Sequence, residues 1–449
     1  MDTRAALDSI HSGAPPATYG PLGSSAPTVH PWSLYGPWQR WLYFGLLFAV
    51  TAFNYFDYFI VAVLLEPIKQ EFHVSDTALG LLSGMCFALI FAAAAVPIAR
   101  WADRGNRRTV ITVALSGWSV MTIACGFAQS FWQLALARFG VGITEPGAMP
   151  PSQSLIADYF PPERRASATS ILCGGASSVG WLLGIGIGGL IASRYGWRVA
   201  FVLAGVPGLL LALIVRAVLP EPRTHLLATV KRCDIETAWQ SIGQLRRKQS
   251  FVLSVVAISV YAIFSYGVTA FVASFMTRSF HAPMTDVSGP LGCAIAVANL
   301  VGSAIGGWVA DKLGSRNPRW YARLPACACI VALPLYLLAL SADNLGLAIG
   351  IEFFAEVVLG VGIPLVFTTI MVVCGGHRRS IASAVLYCAM VLIGGSLGPF
   401  LTGVLSDSFA AAAGADSLRY ALMAMCAFLL PAAAAFWASS GVIFQDQEA

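Results

Sequence analysis

The chain alternates long apolar runs with short polar connections. Twelve such runs follow Arg40, each close to the ~20 residues that an α-helix needs to cross the hydrocarbon core of a bilayer. The pattern predicts helices at 41–65, 77–99, 109–128, 132–157, 168–192, 197–218, 251–275, 288–310, 323–341, 345–372, 382–405 and 418–440. The longest polar gap, residues 219–250, separates six predicted helices from the other six.

The distribution of Lys and Arg predicts the orientation of these helices, because basic loops resist translocation. Loops after even-numbered helices carry clusters such as Arg104, Arg107 and Arg108, whereas loops after odd-numbered helices carry few basic residues. Both termini are therefore predicted to be cytoplasmic, and we expect a multi-pass protein of a bacterial inner (plasma) membrane. The predicted organisation is a disordered cytoplasmic tail at 1–38, a six-helix bundle at 39–218, a cytoplasmic linker at 219–250, a second six-helix bundle at 251–441 and a cytoplasmic tail at 442–449.

Composition excludes several classes of function. Hydrophobic residues make up 57% of the chain and charged residues only 11%, so a soluble enzyme of this composition would expose large apolar patches. The net charge of +5 arises from the basic loops that set the orientation of the helices, so no nucleic-acid partner is expected. The ten cysteines and six histidines form no ligand cluster, and no phosphate-binding loop or catalytic triad is visible. We therefore expect no metal, no cofactor, no catalytic residue and no enzymatic activity.

The two halves of the sequence repeat each other. The segment WADRGNRR at 101–108 corresponds to GWVADKLGSR at 307–316, and ERRASA at 163–168 corresponds to HRRSIAS at 377–383. The glycine-rich run at 180–189 corresponds to the run at 394–403. Duplication of a six-helix unit explains these pairs, and glycines at such spacing allow helices to approach closely.

These repeated segments resemble the signatures of major facilitator transporters. The loops around Asp103 and Asp311 are similar to that family's motif between helices 2 and 3, and Arg138 stands in a segment similar to a motif of helix 4. The resemblance implies an all-α membrane protein in which twelve transmembrane helices form two six-helix bundles around a central cavity. It also implies transport by alternating access.

A closer resemblance is to the Spinster-like branch of this family. It rests on NYFD at 54–57, LEPIK at 65–69, ADRGNRR at 102–108, RFGVGITEPG at 138–147 and DYFPPERRA at 158–166. The branch usually has Arg after the acid of helix 1, whereas this chain has Tyr58. Because a phenol is uncharged until about pH 10, Tyr58 predicts a pocket that accepts neutral or cationic amphiphiles better than phosphate-bearing ones. The competing interpretation is that Tyr58 packs against a neighbouring helix or lipid.

Five charged residues lie well inside the predicted helices: Asp57, Arg138, Glu145, Glu352 and Glu356. Each costs about 2.5–3.5 kcal/mol at a helix centre, so such residues face a bundle interior or a water-filled cavity. Asn54 and Asp57 share one face of helix 1, and Arg138 and Glu145 lie two turns apart on one face of helix 4. Since the resemblance places both helices at the cavity, we predict that Asp57, Glu145 and Arg138 couple transport to protons. The alternative is a permanent ion pair that fastens helix 1 to helix 4.

Two further groups of residues are predicted from position. The substrate-binding set is Asn54, Tyr58, Glu145, Glu356, Tyr261, Asn299 and Tyr387, although aromatic residues also serve ordinary packing. For Glu352 and Glu356 the alternative is an outward-facing wet vestibule. The set Asp103, Arg104, Arg107, Asp311 and Lys312 is predicted to form a cytoplasmic gate between the bundles, the alternative being a role in loop folding.

The function predicted from the sequence is proton-coupled secondary transport of a small amphiphilic molecule. The resemblance implies lysolipids, sphingoid lipids or similar amphiphiles as the substrate class. An organic-anion or carboxylate symporter and a drug-type exporter of the same fold stay open. A non-transporting receptor or a membrane-embedded lipid enzyme is the alternative from another class. The expected partners are a small-molecule or lipid substrate, protons and membrane lipids, and we expect a monomer.

Overall fold

The structure is a computed structural model, and it describes residues 31–222, 238–314, 316–374 and 379–446. This part of the chain contains twelve long helices, a 3₁₀ turn at Pro31–Leu34, a short helix at Ala238–Leu245 and no strand. The long helices are α1 (Pro37–Phe72), α2 (76–104), α3 (Arg107–Gly126), α4 (131–159), α5 (162–195), α6 (Trp197–Val218), α7 (Gln249–Ser279), α8 (Met284–Gly314), α9 (Trp320–Leu340), α10 (345–373), α11 (379–413) and α12 (417–446). The all-α prediction with twelve helices is confirmed. Residues 1–30 of the predicted tail at 1–38, residues 223–237 of the predicted linker and residues 447–449 of the predicted C-terminal tail lie outside the described residues.

Several helices contain local irregularities. Stretches of π-helix occur at Leu81–Met85 in α2, at Ile171–Gly175 and Leu182–Ile187 in α5 and at Met390–Gly395 in α11. The 3₁₀ turn Glu145–Gly147 divides α4 into Phe131–Thr144 and Met149–Tyr159. Proline at position 146 has no N–H to donate, which favours this interruption. Irregular backbone inside a membrane protein often marks a functional position.

Ten segments of the described chain are long and apolar enough to cross a membrane. Nine of them correspond to single helices, and the tenth, Ile381–Asp446, contains both α11 and α12. Helix α4 is not among them because its two pieces, of 14 and 11 residues, are each shorter than a bilayer requires. The polar turn that shortens these pieces carries Glu145, one of the predicted site residues.

The halves α1–α6 and α7–α12 meet along α1 with α7, α2 with α11, and α5 with α8. Glycines make two of these contacts very close. A Cβ atom on Gly84 of α2 would press against Gly395 and Pro399 of α11, and one on Gly292 of α8 would overlap the backbone of Gly186 in α5. Gly84 and Gly292 occupy equivalent positions in the internal repeat, so the duplicated unit uses the same kind of contact twice.

Candidate functional site

The carboxylate of Asp57 lies in the middle of α1 and is 3% exposed. Its Oδ2 accepts a hydrogen bond from Nη1 of Arg138 on α4 at 2.9 Å, and this contact is also an ion pair. Its Oδ1 accepts a short hydrogen bond from the hydroxyl of Thr122 on α3. Three helices of the N-terminal half therefore meet at one acidic side chain, as buried charges require partners.

The guanidinium of Arg138 is 2% exposed and lies 5.7 Å from the ring centroid of Phe87 on α2. Its Nε atom is buried and makes no hydrogen bond within the described residues. Arg138 therefore has donor capacity that the ion pair with Asp57 does not use. An arginine with a free donor in a buried site can change partners when nearby helices move.

Glu145 begins the 3₁₀ turn of α4 and is 5% exposed. Its Oε1 accepts a hydrogen bond from Nδ2 of Asn54 on α1 at 3.0 Å, which joins α1 and α4 a second time. Its Oε2 is buried and has no hydrogen-bond partner among the described residues. Asp57 therefore has a cationic partner, whereas Glu145 has only an amide on one of its two oxygens.

Aromatic side chains lie beside these acids, at the contact between the halves. The ring of Tyr58 on α1 lies 5.8 Å from that of Phe87 and 6.0 Å from that of Tyr266 on α7, both measured between centroids. Tyr387 of α11 is close enough to Tyr55, Tyr266 and Glu145 to interact with them electrostatically. Tyr58 and Tyr387 therefore lie near the acidic site, and Tyr58 also packs against two neighbouring helices. Their role in substrate binding stays a prediction.

The other predicted binding residues belong to the C-terminal half and form no direct contact with the acids of α1 and α4. Glu356 on α10 accepts a hydrogen bond from the hydroxyl of Tyr336 on α9 at 2.5 Å. Tyr261 of α7 is buried near Glu356, with which it interacts electrostatically. The amide of Asn299 donates to the carbonyl of Ile295 one turn earlier in α8. The assignment of these residues to a substrate site stays a prediction.

The two halves are joined at the end of the molecule where α1 ends and α2 begins. Arg278, at the end of α7, donates to Glu66 of α1 at 2.5 Å and to both oxygens of Asp76 of α2 at 2.7 and 2.8 Å. Asp407 of α11 accepts hydrogen bonds from the backbone N–H groups of Asp76 and Thr77, at 3.0 and 2.8 Å. The hydroxyl of Ser406 on α11 also donates to Asp76, at 2.7 Å. We call the residues Glu66, Asp76, Arg278, Ser406 and Asp407 the outer seal, after the orientation predicted from the basic loops.

The residues predicted as a gate lie at the opposite end. Arg104, Asp311 and Lys312 are exposed, and Lys312 lies 4.9 Å from the ring centroid of Trp308. The side chain of Asp103 lies outside what the structure describes. Arg107 is 1% exposed and binds Asp158 at 2.5 Å and Glu221 at 2.6 Å, so its ion pairs fasten α3 to other parts of the N-terminal half. The gate stays a prediction.

Sequence reasoning missed Thr122, Tyr336 and the outer seal. Thr122 and Tyr336 are single polar groups in apolar helices, and their sequence positions do not reveal which carboxylate each one meets. The seal brings together residues as far apart as Asp76 and Asp407, which lie 331 positions apart. No group of three or more His, Cys, Asp or Glu residues suited to a metal ion occurs in the part of the chain that the structure describes.

Comparison with known proteins identifies relatives along almost the whole chain. The sequence model of the family described as Major Facilitator Superfamily matches residues 47–399. A protein of Mycolicibacterium smegmatis described as an MFS-type efflux pump is 32% identical over 424 residues, which are 92% of this chain and 95% of that protein. Protein spinster homolog 1 of Xenopus tropicalis is 29% identical over 86% of this chain and 77% of that protein.

A solved structure shows the same architecture. It is a bacterial homologue of the human lysosomal transporter Spinster, in an inward-facing and unoccupied conformation. The two chains superpose with a TM-score of 0.81 at 27% sequence identity, over 92% of this chain and 100% of that one. The predicted arrangement of twelve helices in two six-helix bundles is confirmed, and so is the predicted resemblance to the Spinster branch.

Proposed function

Because the chain belongs to the Major Facilitator Superfamily, a family of membrane transporters, we propose that it is a proton-coupled secondary transporter of a small amphiphilic molecule. The observation that carries this proposal is the buried site of Asp57, Arg138 and Glu145. It holds two carboxyl groups and one guanidinium, and one carboxyl oxygen has no partner among the described residues. Burial of such charges inside a membrane protein costs free energy, and charges retained at that cost mark functional sites.

The proposed coupling depends on the different partners of the two acids, Asp57 and Glu145. In this conformation Asp57 is paired with Arg138, and we assign the transported proton to Glu145, whose second carboxyl oxygen has no hydrogen-bond partner among the described residues. When the bundles rearrange, Arg138 uses its unsatisfied Nε donor to approach Glu145, and the proton leaves. Burial favours the neutral carboxyl and a nearby cation favours the ionised one, so the movement of one guanidinium exchanges the proton.

We further propose that the structure represents the inward-open state of an alternating-access cycle. Two observations support this: the outer seal joins the halves at one end, and the related structure with a TM-score of 0.81 is inward-facing. In the proposed orientation both termini are cytoplasmic and the membrane is a bacterial inner membrane, as the basic loops predict. Protons and membrane lipids are the other proposed partners, and we propose that the protein acts as a monomer.

The proposed substrate class follows from the lining of the site. Tyr55, Tyr58, Tyr266 and Tyr387 are each close enough to Glu145 to interact with it electrostatically, and each ring carries one polar atom. Such rings bind apolar surface and leave a hydroxyl for a polar head group. A lysolipid-like or sphingoid molecule fits this chemistry. The name of the Mycolicibacterium relative supports outward transport as the direction.

The test is accumulation driven by a pH gradient in proteoliposomes. A thermal-shift screen with lysophosphatidylcholine, sphingosine and benzoate first identifies a ligand, and benzoate represents the organic-anion alternative. We then expect Asp57→Asn to lose accumulation driven by the gradient, because Arg138 then has no carboxylate other than Glu145 to pair with and the exchange of partners fails. Exchange between equal concentrations is expected to be retained. Glu71→Gln is the matched control, because Glu71 is an acid of the same helix with a side chain 42% exposed. Full accumulation in the Asp57→Asn variant would show that this acid does not couple protons to transport.

A further inference from the structure

A second pair of buried acids lies in the C-terminal half, away from the site of Asp57 and Glu145. Glu352 and Glu356 are one turn apart on α10, and Glu352 is 3% exposed. Glu356 accepts a hydrogen bond from Tyr336, whereas Glu352 has no hydrogen-bond or ion-pair partner among the described residues. Its side chain lines a small cavity between α7, α9 and α10.

The surroundings of the pair contain no compensating cation within the described residues. The titratable groups that interact with it electrostatically are Tyr336 on α9 and Tyr261 on α7. Helix α8 packs against α10 through Gly302, which meets Val357 and Gly360 and brings no titratable group. Two carboxylates in such surroundings would each lose several kcal/mol of hydration with no counter-charge. Neutralisation by a proton removes that cost.

The size and lining of the cavity decide which ligand the pair takes. Its volume is about 10 Å³, which is room for about one water molecule and too small for an organic amine. The rest of the lining is apolar: Val268, Val272, Phe275, Met276, Ala339 and Leu340. A hard metal cation requires several oxygen ligands, and this lining supplies only the carboxyl of Glu352 and the phenol of Tyr336. A proton needs no ligand other than a carboxyl oxygen.

We propose that Glu352 and Glu356 form a second proton-binding site that holds at least one proton at neutral pH while the outer seal is closed. The hydroxyl of Tyr336 fixes Glu356, and Glu352 faces the cavity, which has room for about one water molecule. The site lies near the outer ends of α7 and α9, a few residues before Arg278. This proposal does not depend on the identity of the substrate or on coupling through Asp57.

The test is infrared spectroscopy of the purified full chain at neutral pH in H₂O and in D₂O. A protonated carboxyl has a C=O band distinct from that of a carboxylate, and the band shifts on deuteration. We expect the double variant E352Q/E356Q to lose band intensity equivalent to at least one carboxyl, and E71Q to lose none. A double variant whose band equals that of the wild type would overturn the proposal.

A second measurement leaves α10 unchanged. In the E145Q variant with ¹³C-labelled glutamate, aspartate bands are separated from glutamate bands and the contribution of Glu145 is removed. A protonated glutamate band that persists in this sample supports the assignment to the α10 pair, and its absence refutes it. Because neither measurement involves transport, the outcomes of both are independent of the Asp57→Asn experiment.

Discussion

Replacement of Arg278 by Gln removes the cation of the outer seal. Its three hydrogen bonds to Glu66 and Asp76 cross between the halves, and the side chains of Arg278, Glu66 and Asp76 are only 13, 14 and 2% exposed. Truncation of one partner in such a pair costs about 2–5 kcal/mol. Lys69 and Ser406 still bind Asp76, each at 2.7 Å, so we expect the lower part of that range, about 2–3 kcal/mol. Since these bonds exist only when the seal is closed, the ratio of open to closed molecules should rise roughly 30- to 150-fold.

Hydrogen exchange measures this opening directly. The backbone N–H groups of Asp76 and Thr77 are at the start of α2, where they have no partner within the helix, and both donate to Asp407 of the other half. Their exchange therefore reports separation of the seal, and it should accelerate in Arg278→Gln by up to the same factor. The matched control is Arg198→Gln, because Arg198 pairs with Glu71 at the same end but within one half. Exchange within twofold of wild type in Arg278→Gln would refute the view that this cation holds the halves together.

Two further predictions use single substitutions. Tyr58→Arg should shift ligand preference toward phosphate-bearing amphiphiles by about 1–4 kcal/mol, as measured by competition binding against Tyr58→Phe, and an unchanged preference would make Tyr58 a packing residue only. Gly80→Ala should hinder closure of the seal and accelerate exchange at Thr77, because the added Cβ would overlap the backbone of Pro399, whereas Gly45→Ala should not, since a Cβ there meets nothing within 4 Å. Equal exchange in both glycine variants would contradict the close approach of α2 and α11.

The sequence predicted the helices and the central site better than the contacts between distant helices. Charged residues in apolar runs are rare, and the two-turn spacing of Arg138 and Glu145 predicted that they share one face of helix 4. The proximity of that face to Asp57 was predicted from the family resemblance. The spacing did not predict that Arg138 pairs with Asp57 while Glu145 takes the amide of Asn54. That difference depends on the break in α4, which places Glu145 at the start of a 3₁₀ turn.

The ends of the helices were harder to predict for a different reason. Arg107 lies in a basic loop segment that reads as solvated, yet it is buried because Asp158 and Glu221 come from the ends of two other elements. The residues of the outer seal read as ordinary loop charges, since their partners lie about half the chain away or more. Local sequence patterns indicate which face of a helix is buried. They do not indicate which other helix packs against that face.

The contacts of α2 with α11 and of α5 with α8 derive from one duplicated joint, but they have acquired different chemistry. The first is crossed by charged groups, Asp76 and Asp407 among them, whereas the second places Gly186 against Gly292 with backbone on backbone. Dissolved ions screen attraction between partly exposed charges and leave dispersion contacts almost unaffected. A rise in ionic strength therefore weakens the contact of α2 with α11 through its partly exposed groups, such as Asp407, and leaves the contact of α5 with α8 nearly unchanged.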